Sequence, residues 1–579
     1  MLKPSSVLLG GMGIALVIAV VPDVRAVTNY ADVVIYGATP AGITAAIAAD
    51  RAGASVVLLE HGTHIGGMMA SGLGNTDVGD KRTIGGLAND VFKRISAKYG
   101  VAQSFNFQPH VGSEVFHDML AETKVRLFTG RTLKSVTKEG ARLTAFECTD
   151  GNWFEAKAFV DSTYEGDLMA NTGVRYIVGR ESRDNYKESL AGIQDVHQLD
   201  SLLDSPELVT KFQKLGGHSS LMKPTVAWYE SRKGYLNTHQ WPMAVNGIGA
   251  DGKPLPGVSV EPTGKPGAAD HRFMAYNFRL CLTRDPANKV PITRPEGYDP
   301  AYFELLTRYI EKWPGITLKK LFHVPELPNQ STDLNTSGPY STDLLDGSAW
   351  AYPEADWSER DRIAAHHRQF LQGMLWFLGH DPRVPAALRE ETLTWGLDRG
   401  EFADNGHWPW QIYVRVARRM MGEYVMTQKD VLDDREKADS IAMGSFIIDS
   451  HNIRRVLTPD GSVLNEGGLE VWLKGPYEIP FRSLTPKAAE CENLLVPVCI
   501  SASYVAYCTI RMEPVYMMMG QASGAAAALV AKSGCPAQSL PYDELKDTLA
   551  KQGQMSLKLP ASWAAPASES PRTPANHNT

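Results

Sequence analysis

The sequence contains little cysteine and lacks the common metal and hydrolase motifs. Only six of its 579 residues are cysteine, and no two of them form a C-x-x-C pair. This excludes a disulfide-dense scaffold and a zinc or redox site of that spacing. The sequence also has no H-E-x-x-H motif and no glycine-flanked serine with assignable partners, so we expect no metal and no hydrolase chemistry. Most thiols are expected to be buried, with a bridge between Cys491 and Cys499 left open.

Positive charge is also limited. The chain carries 58 Lys and Arg residues against 65 Asp and Glu residues, a net charge of −7. A protein with this balance has no basic surface field to attract a phosphate backbone. Nucleic acid is therefore not expected as a partner.

Long hydrophobic runs are confined to the N-terminus. The run from Val7 to Val21 follows Lys3 and precedes Val24-Arg25-Ala26, which places small residues where a signal peptidase reads. We interpret residues 1–26 as a secretory signal peptide and expect a secreted or periplasmic protein without stable membrane insertion after its removal. An uncleaved anchor is the alternative, although the run is short for a membrane span. The absence of a twin arginine argues against export in the folded state.

The chain after residue 26 opens with a β-α-β pattern. A β-branched run, Ala31 to Tyr36, is followed by a turn and by a helical pattern that stops at Gly53. The turn nearly matches the dinucleotide fingerprint G-x-G-x-x-G: Gly37 and Gly42 are present, but Thr39 occupies the middle position. Pro40 costs no hydrogen bond in the first turn of a helix, and the amides around Ala41 remain able to face a pyrophosphate.

Two later features strengthen the prediction of a dinucleotide site. Glu60 lies eighteen residues after Gly42, at the end of the second strand, where a carboxylate accepts hydrogen bonds from ribose hydroxyls and repels a 2′-phosphate. After five intervening residues, the doublet Gly66-Gly67 permits close approach of the backbone to a ligand. The whole pattern is more specific than the turn alone.

The pattern divides the chain into several parts. We predict an α/β fold: a Rossmann-like dinucleotide-binding domain with a parallel sheet and an inserted β-meander, plus a mixed α+β substrate domain. The expected boundaries place the first part of the nucleotide-binding domain at 27–178, the substrate domain at 179–439, the closing part at 440–550 and a disordered tail at 551–579.

Several blocks of the chain resemble FAD-dependent oxidoreductases of the glutathione-reductase-like superfamily. The closer resemblance, carried by "GATPAGITAAIAADRAG", "GGMMASGLGNTD", "FVDSTYEGDLMANTGVRYIVGRES", "DSHNIRRV" and "RMEPVYMMMGQASGAAAAL", is to the FAD-dependent oxidoreductase family whose exported members are often labelled xanthan-lyase-like. The resemblance implies FAD as the cofactor, with NAD as the alternative. Thr39 at the middle of the turn is compatible with this resemblance, because a non-glycine residue occurs at this place in the family. It adds cofactor-binding candidates to those of the turn, the acid and the doublet: Met68, Ser71, Asp161, Arg511, Met512 and Glu513. Of these, Asp161 has the alternative role of a helix cap.

Candidates for substrate chemistry are polar residues in apolar stretches. His451 is our choice for proton transfer, because imidazole titrates near neutrality and this residue lies beside Asp449 in a block that resembles the family. Arg180 and Tyr276 are expected to line the substrate pocket. A structural histidine and structural ion pairs are the alternatives.

We therefore expect an exported FAD enzyme that transfers hydride from a small polar substrate, such as a sugar or sugar acid, to flavin N5. Dioxygen or another carrier would take the electrons. A polysaccharide lyase acting by β-elimination and a non-catalytic binding protein on an FAD fold are the alternatives.

Overall fold

A computed structural model describes residues 27–194, 243 and 245–554. The expected signal peptide and residues 555–579 of the expected tail lie outside the described residues. Residues 551–554 are packed rather than disordered, since Gln554 is buried and its side-chain amide donates to the Ile441 carbonyl. In the described part of the chain, no helix has the length and apolar character needed to cross a membrane.

The strands fall into one large sheet, one smaller sheet and several short ladders. Their bounds are β1 (Thr28–Tyr36), β2 (Val56–Leu59), β3 (Arg126–Phe128), β4 (Leu133–Glu139), β5 (Arg142–Cys148), β6 (Trp153–Asp161), β7 (Tyr176–Ile177), β8 (Leu280–Thr283), β9 (Lys289–Val290), β10 (Phe322–His323), β11 (Ser331–Thr336), β12 (Gly396–Asp398), β13 (Arg419–Met420), β14 (Ser440–Gly444), β15 (Ile448–Ser450), β16 (Arg454–Leu457), β17 (Val463–Glu466), β18 (Leu469–Val471), β19 (Tyr477–Pro480) and β20 (Leu494–Leu495).

The helices are α1 (Pro40–Arg51), α2 (Gly86–Lys98), α3 (Pro109–Ala121), α4 (Asp167–Asn171), α5 (Arg183–Tyr186), α6 (Glu304–Lys312), α7 (Leu318–Leu321), α8 (Trp357–His380), α9 (Ala386–Leu393), α10 (Gln428–Leu432), α11 (Tyr504–Ile510), α12 (Glu513–Ser533) and α13 (Tyr542–Lys551). Short 3₁₀ turns cover Gly67–Ala70, Lys81–Thr83, Pro300–Phe303, Pro328–Gln330, Ser348–Glu354, Ala403–Asn405, Phe481–Ser483 and Ala537–Ser539.

The large sheet confirms the predicted fold class. Its order is β3-β2-β1-β6-β5-β4, and β20 also pairs with β6. The pairs β1–β2, β1–β6, β2–β3 and β6–β20 are parallel, whereas β4 and β5 form the antiparallel meander that leads into β6. The central strand β1 ends at Tyr36, so the glycine turn lies at the carboxyl edge of the sheet, where open α/β sheets bind their ligands.

Helix α12 closes this part of the molecule by packing directly on α1. A Cβ atom at Gly520 would lie 2.1 Å from the Ala41 carbonyl oxygen, and one at Gly524 would lie 1.9 Å from the Ala45 carbonyl oxygen. Any larger residue would push the two helices apart. The closing helix, more than 470 residues from the turn in sequence, therefore rests against the helix that the turn begins.

The central region adds a second, antiparallel sheet in the order β10-β11-β8-β12-β9, flanked by α6, α8 and α9. One continuous hydrophobic core joins this region to the large sheet, with members such as Val33 in β1, Met374 in α8 and Met517 in α12. All six cysteines lie within the described residues, five of them buried, and none forms a disulfide. The bridge left open between Cys491 and Cys499 is therefore absent.

Candidate functional site

The turn between β1 and α1 is built so that only glycine fits at its two ends. Gly37 has φ +99°, a left-handed conformation that L side chains rarely adopt. A Cβ atom at Gly42 would lie 1.9 Å from the Gly37 carbonyl oxygen, inside contact distance. Both glycines of the fingerprint are thus required by the tightness of the bend.

Thr39 can occupy the middle position of the turn because its side chain is directed into the protein. Its hydroxyl donates to the Ser162 carbonyl at 2.8 Å and accepts from the Gly42 amide at 3.3 Å, so Thr39 caps α1. Pro40 has no amide hydrogen to satisfy, and no acceptor in the described part of the chain lies within hydrogen-bond distance of the Ala41 amide. This leaves the helix N-terminus available to a negatively charged group.

Glu60 is held beside this turn by two backbone amides. Its carboxylate accepts from Ala38 N at 2.7 Å and from Gly62 N at 3.0 Å. Burial raises the pKa of this carboxyl, while the amide hydrogen bonds oppose the rise. Both oxygens retain acceptor capacity for hydroxyl groups of a ligand.

These groups line a cavity of about 410 Å³, which we call the nucleotide cavity. One wall comes from the turn and the acid, including Gly37, Thr39, Glu60 and Gly67. Ser71, whose hydroxyl accepts from Gln411 N at 3.0 Å, lies on the wall as well. The opposite wall comes from the central region and includes Trp357 and Arg360 of α8. The central region therefore completes the cavity.

Two stacked histidine–tryptophan pairs fasten the loop after Glu60 to the central region. The ring centroids of His61 and Trp357 lie 3.4 Å apart, and those of His64 and Trp410 lie 3.7 Å apart, with nearly parallel planes in both pairs. Burial lowers the pKa of His61 to about 4, so this ring is neutral near pH 7. Sequence reasoning missed both tryptophans, because nothing local connects them to a loop some 300 residues earlier.

The glycine doublet meets the closing helix through one tyrosine. A Cβ atom at Gly67 would lie 2.4 Å from the Tyr164 hydroxyl oxygen, and the left-handed φ of Gly66 (+95°) begins the short turn after it. The Tyr164 hydroxyl accepts from Met68 N at 3.0 Å and donates to Glu513 Oε1 at 2.6 Å. Burial raises the pKa of Glu513 to about 7. Met512, also buried, is the N-cap of α12.

Comparison with known proteins identifies this arrangement. The profile of the family described as FAD dependent oxidoreductase matches residues 32–549, most of the chain. The chain belongs to this family. No match was found among the curated proteins. The cofactor is FAD, as the resemblance implied.

Among solved structures, similarity is low. The flavin-dependent brominase Bmp2 is 16% identical, with a TM-score of 0.22, over 26% of this chain and 42% of its own. The enzyme THI4 of Thermovibrio ammonificans is 18% identical, with a TM-score of 0.20, over 26% of this chain and 66% of its own. Thioredoxin reductase of T. acidophilum is 20% identical, with a TM-score of 0.16, over 30% and 41%. The chain thus spans less than two thirds of each of these relatives.

The residues present fit FAD. The glycines of the turn and the doublet let the backbone bend so tightly that a Cβ atom at any of them would clash with the protein itself, and the α1 N-terminus offers amides to a diphosphate. Glu60 suits the ribose next to it. Gly37, Thr39, Glu60, Gly67 and Ser71 lie on the cavity wall. The turn and the doublet behind this wall are shaped by Pro40, Ala41, Gly42, Gly66 and Met68. For each of these residues, a direct contact with FAD stays a prediction.

A second cavity of about 130 Å³, which we call the polar cavity, shares one stretch of backbone with the nucleotide cavity. Ile412 and Val414 line the nucleotide cavity, whereas Tyr413 between them lines the polar cavity. This alternation is typical of extended chain. Arg511 and His451 also line the polar cavity, so the structure brings together two of the residues predicted from sequence.

His451 lies between two carboxylates. Its Nδ1 is 2.8 Å from Asp343 Oδ2, and its Nε2 is 3.6 Å from Asp449 Oδ2. Asp343 is buried, and its other oxygen is 2.9 Å from a guanidinium nitrogen of Arg415. Arg511 donates to Asp449 Oδ2 at 2.9 Å. The histidine therefore lies in a row of ionisable side chains that runs from Arg415 to Arg511.

Three further charged residues of the polar cavity were missed from the sequence, Asp77, Arg279 and Glu470. Burial raises the pKa of Asp77 to about 6, a value that allows proton exchange near neutrality. A signal was present, because Asp77 ends the block "GLGNTD" and Arg279 lies in "YNFRLCLT". Neither residue has a local spacing that would distinguish it from a surface charge.

Arg180, Tyr276 and Asp161 are among the predicted site residues that line neither cavity, and each has a structural partner within the protein. Arg180 forms buried ion pairs with Asp270 and Glu466, each at 2.7 Å. Tyr276 is buried and its hydroxyl donates to the Val416 carbonyl. Asp161 accepts from Thr163 and from Met169 N at 2.7 Å, which fixes the turn into α4. Arg180 and Asp161 thus match the alternatives of ion pairing and helix capping, whereas Tyr276 lies in the core.

Proposed function

We propose that this flavoenzyme oxidises a small polar molecule bound in the polar cavity. The observation that carries the proposal is the position of His451, which Asp343 holds at that cavity, next to the nucleotide cavity with which it shares the segment around Tyr413. Bound FAD supplies the redox chemistry, since flavin N5 accepts a hydride equivalent from a substrate carbon.

His451 would accept the proton that leaves the substrate heteroatom. Asp343 fixes the ring orientation through its contact with Nδ1, and Asp343 is itself held by an ion pair with Arg415. A base whose ring is already oriented loses little entropy when the substrate binds. Asp343 is thus a positioning residue, and His451 is the catalytic residue.

Export remains part of the proposal. Its support is the sequence of residues 1–26, and the lack of a twin arginine implies that FAD is taken up after translocation of the unfolded chain. The electron acceptor would be dioxygen or another carrier. The lyase alternative has no specific observation in its favour, because β-elimination makes no use of FAD.

The test is reduction of the FAD-loaded protein under anaerobic conditions by a panel of sugars, alcohols and amines, followed at the flavin absorption band. With an active substrate, His451→Asn should slow reduction by about 10² to 10⁴ at unchanged FAD content. Asp343→Asn should slow it less, because the base stays in place and only the group that orients its ring is weakened. His366→Asn is the matched control, because His366 forms a similar pair with Asp346 at 2.7 Å outside both cavities. Wild-type reduction rates in His451→Asn would contradict the assigned role.

A further inference from the structure

The walls of the polar cavity carry charges of both signs. Arg279 and Arg511 contribute guanidinium groups, and Asp77, Asp449 and Glu470 contribute carboxyl groups. A ligand with a net charge of either sign would therefore contact like charge as well as opposite charge. In a small site with little water, such like-charge contacts are costly.

Both guanidinium groups are already neutralised by the protein's own carboxylates. Arg279 binds Asp333 through two hydrogen bonds, at 2.7 and 2.5 Å, with both partners buried. Arg511 binds Asp449 at 2.9 Å. A substrate carboxylate would have to displace one of these buried partners or share its cation, and the displaced carboxylate would be left unpaired. This disfavours acids.

A cationic substrate is also disfavoured. The ring of Tyr413, which could attract an ammonium group, already has the guanidinium carbons of Arg279 and Arg415 at 5.7 and 4.8 Å from its centroid. An ammonium group in the cavity would add a further positive charge beside these two arginines. The carboxylates of Asp77 and Glu470 would attract it, but the guanidinium groups keep their positive charge within their ion pairs and would oppose that attraction.

Neutral hydroxyl groups suit the walls of the polar cavity, which carry charges of both signs. A hydroxyl donates one hydrogen bond and accepts others, so each one can bridge a carboxylate and a guanidinium without adding charge. We propose that the polar cavity binds a small neutral polyhydroxylated molecule, a simple sugar or polyol, in preference to its acidic or amino counterparts. This inference rests on the proposed function and narrows it, since it removes the sugar acid from the expected substrates.

The reaction on such a molecule would balance. Oxidation of one alcohol to a carbonyl breaks a C–H bond and an O–H bond: the C–H hydrogen would leave with both bond electrons as a hydride equivalent, which bound FAD can accept, and the O–H proton would go to His451. Dioxygen would then take the two electrons together with two protons, one of them from His451, to give hydrogen peroxide; another two-electron carrier would take the electrons, and the His451 proton would pass to water.

The test compares binding and reduction separately, with the FAD-loaded full-length protein. Neutral hexoses and polyols are titrated beside the matched uronic acids and amino sugars, and binding is read from the perturbation of the flavin spectrum. We expect neutral ligands to bind on the order of tenfold or more tightly than their charged counterparts. In Asp77→Asn, which removes one negative charge, the ratio of uronic acid to neutral affinity should rise on the order of tenfold.

The outcomes separate this inference from the proposed function. A uronic acid or amino sugar that binds as tightly as every neutral ligand, or the absence of binding by all neutral ligands, overturns the inference. A charged ligand that binds best and also bleaches the flavin overturns the inference but supports the proposed function. A neutral ligand that binds without bleaching supports the inference and counts against the function.

Discussion

Replacing Glu513 with glutamine should change the stability of the protein in a pH-dependent way. The free energy of unfolding of the variant, relative to that of wild type, should be higher at neutral and alkaline pH than at acidic pH. Burial raises the pKa of this carboxyl from 4.5 to about 7. The folded protein therefore binds the proton more tightly than the unfolded chain, and the stability gained from this group is complete below the unfolded pKa and lost as pH rises through the folded pKa. The separation of about 2.5 pH units corresponds to about 3 kcal/mol.

Glutamine cannot ionise but keeps an oxygen that can accept from the Tyr164 hydroxyl. The free energy of unfolding of Glu513→Gln minus that of wild type should thus increase by about 3 kcal/mol between about pH 4.5 and about pH 8. The assay is urea unfolding of the cofactor-free protein, followed by tryptophan fluorescence. Tyr164→Phe is the matched comparison: it removes a hydrogen bond that lowers the pKa of Glu513, so its own pH dependence should be steeper than that of wild type. A difference between Glu513→Gln and wild type that does not change with pH would refute the reasoning.

Three substitutions test the nucleotide cavity. Gly42→Ala places a methyl group 1.9 Å from a backbone oxygen of the turn and should abolish FAD binding. Gly400→Ala, in an exposed loop, is the control and should bind FAD as wild type does. Equal FAD content in the two variants would contradict the account of the turn. Glu60→Gln replaces an acceptor oxygen with an amide donor and should weaken FAD affinity on the order of tenfold, measured by equilibrium titration of the cofactor-free protein. Trp357→Ala removes the stack on His61 and should speed FAD release about threefold to tenfold, measured by flavin fluorescence after dilution, and an unchanged rate would show that the stack does not retain the cofactor.

The part of the site that could be predicted from sequence is the part that depends on neighbouring residues. The glycine turn, Glu60 and the doublet lie within 31 residues, from Gly37 to Gly67, and follow the period of one β-α-β unit. Thr39 was predicted to leave the site intact, and the structure gives the reason: its hydroxyl serves the protein rather than the ligand.

The rest of the site depends on contacts between distant segments. His451 and Asp343 are 108 residues apart, and no spacing rule connects them. Conversely, Arg180 looked like a pocket residue because it is a charge in an apolar stretch, yet the same pattern arises when the charge is buried against Asp270 and Glu466. The sequence shows that a charge is buried, but only the fold shows whether it meets a carboxylate or a cavity.

The measurement that tests the central claim most directly is FAD binding by the purified full-length protein and by Gly42→Ala. The account predicts one FAD per wild-type chain, with a flavin absorption band that dithionite bleaches, and none in the variant. Wild-type protein that contains no FAD and cannot be loaded with it would contradict the assignment of the nucleotide cavity.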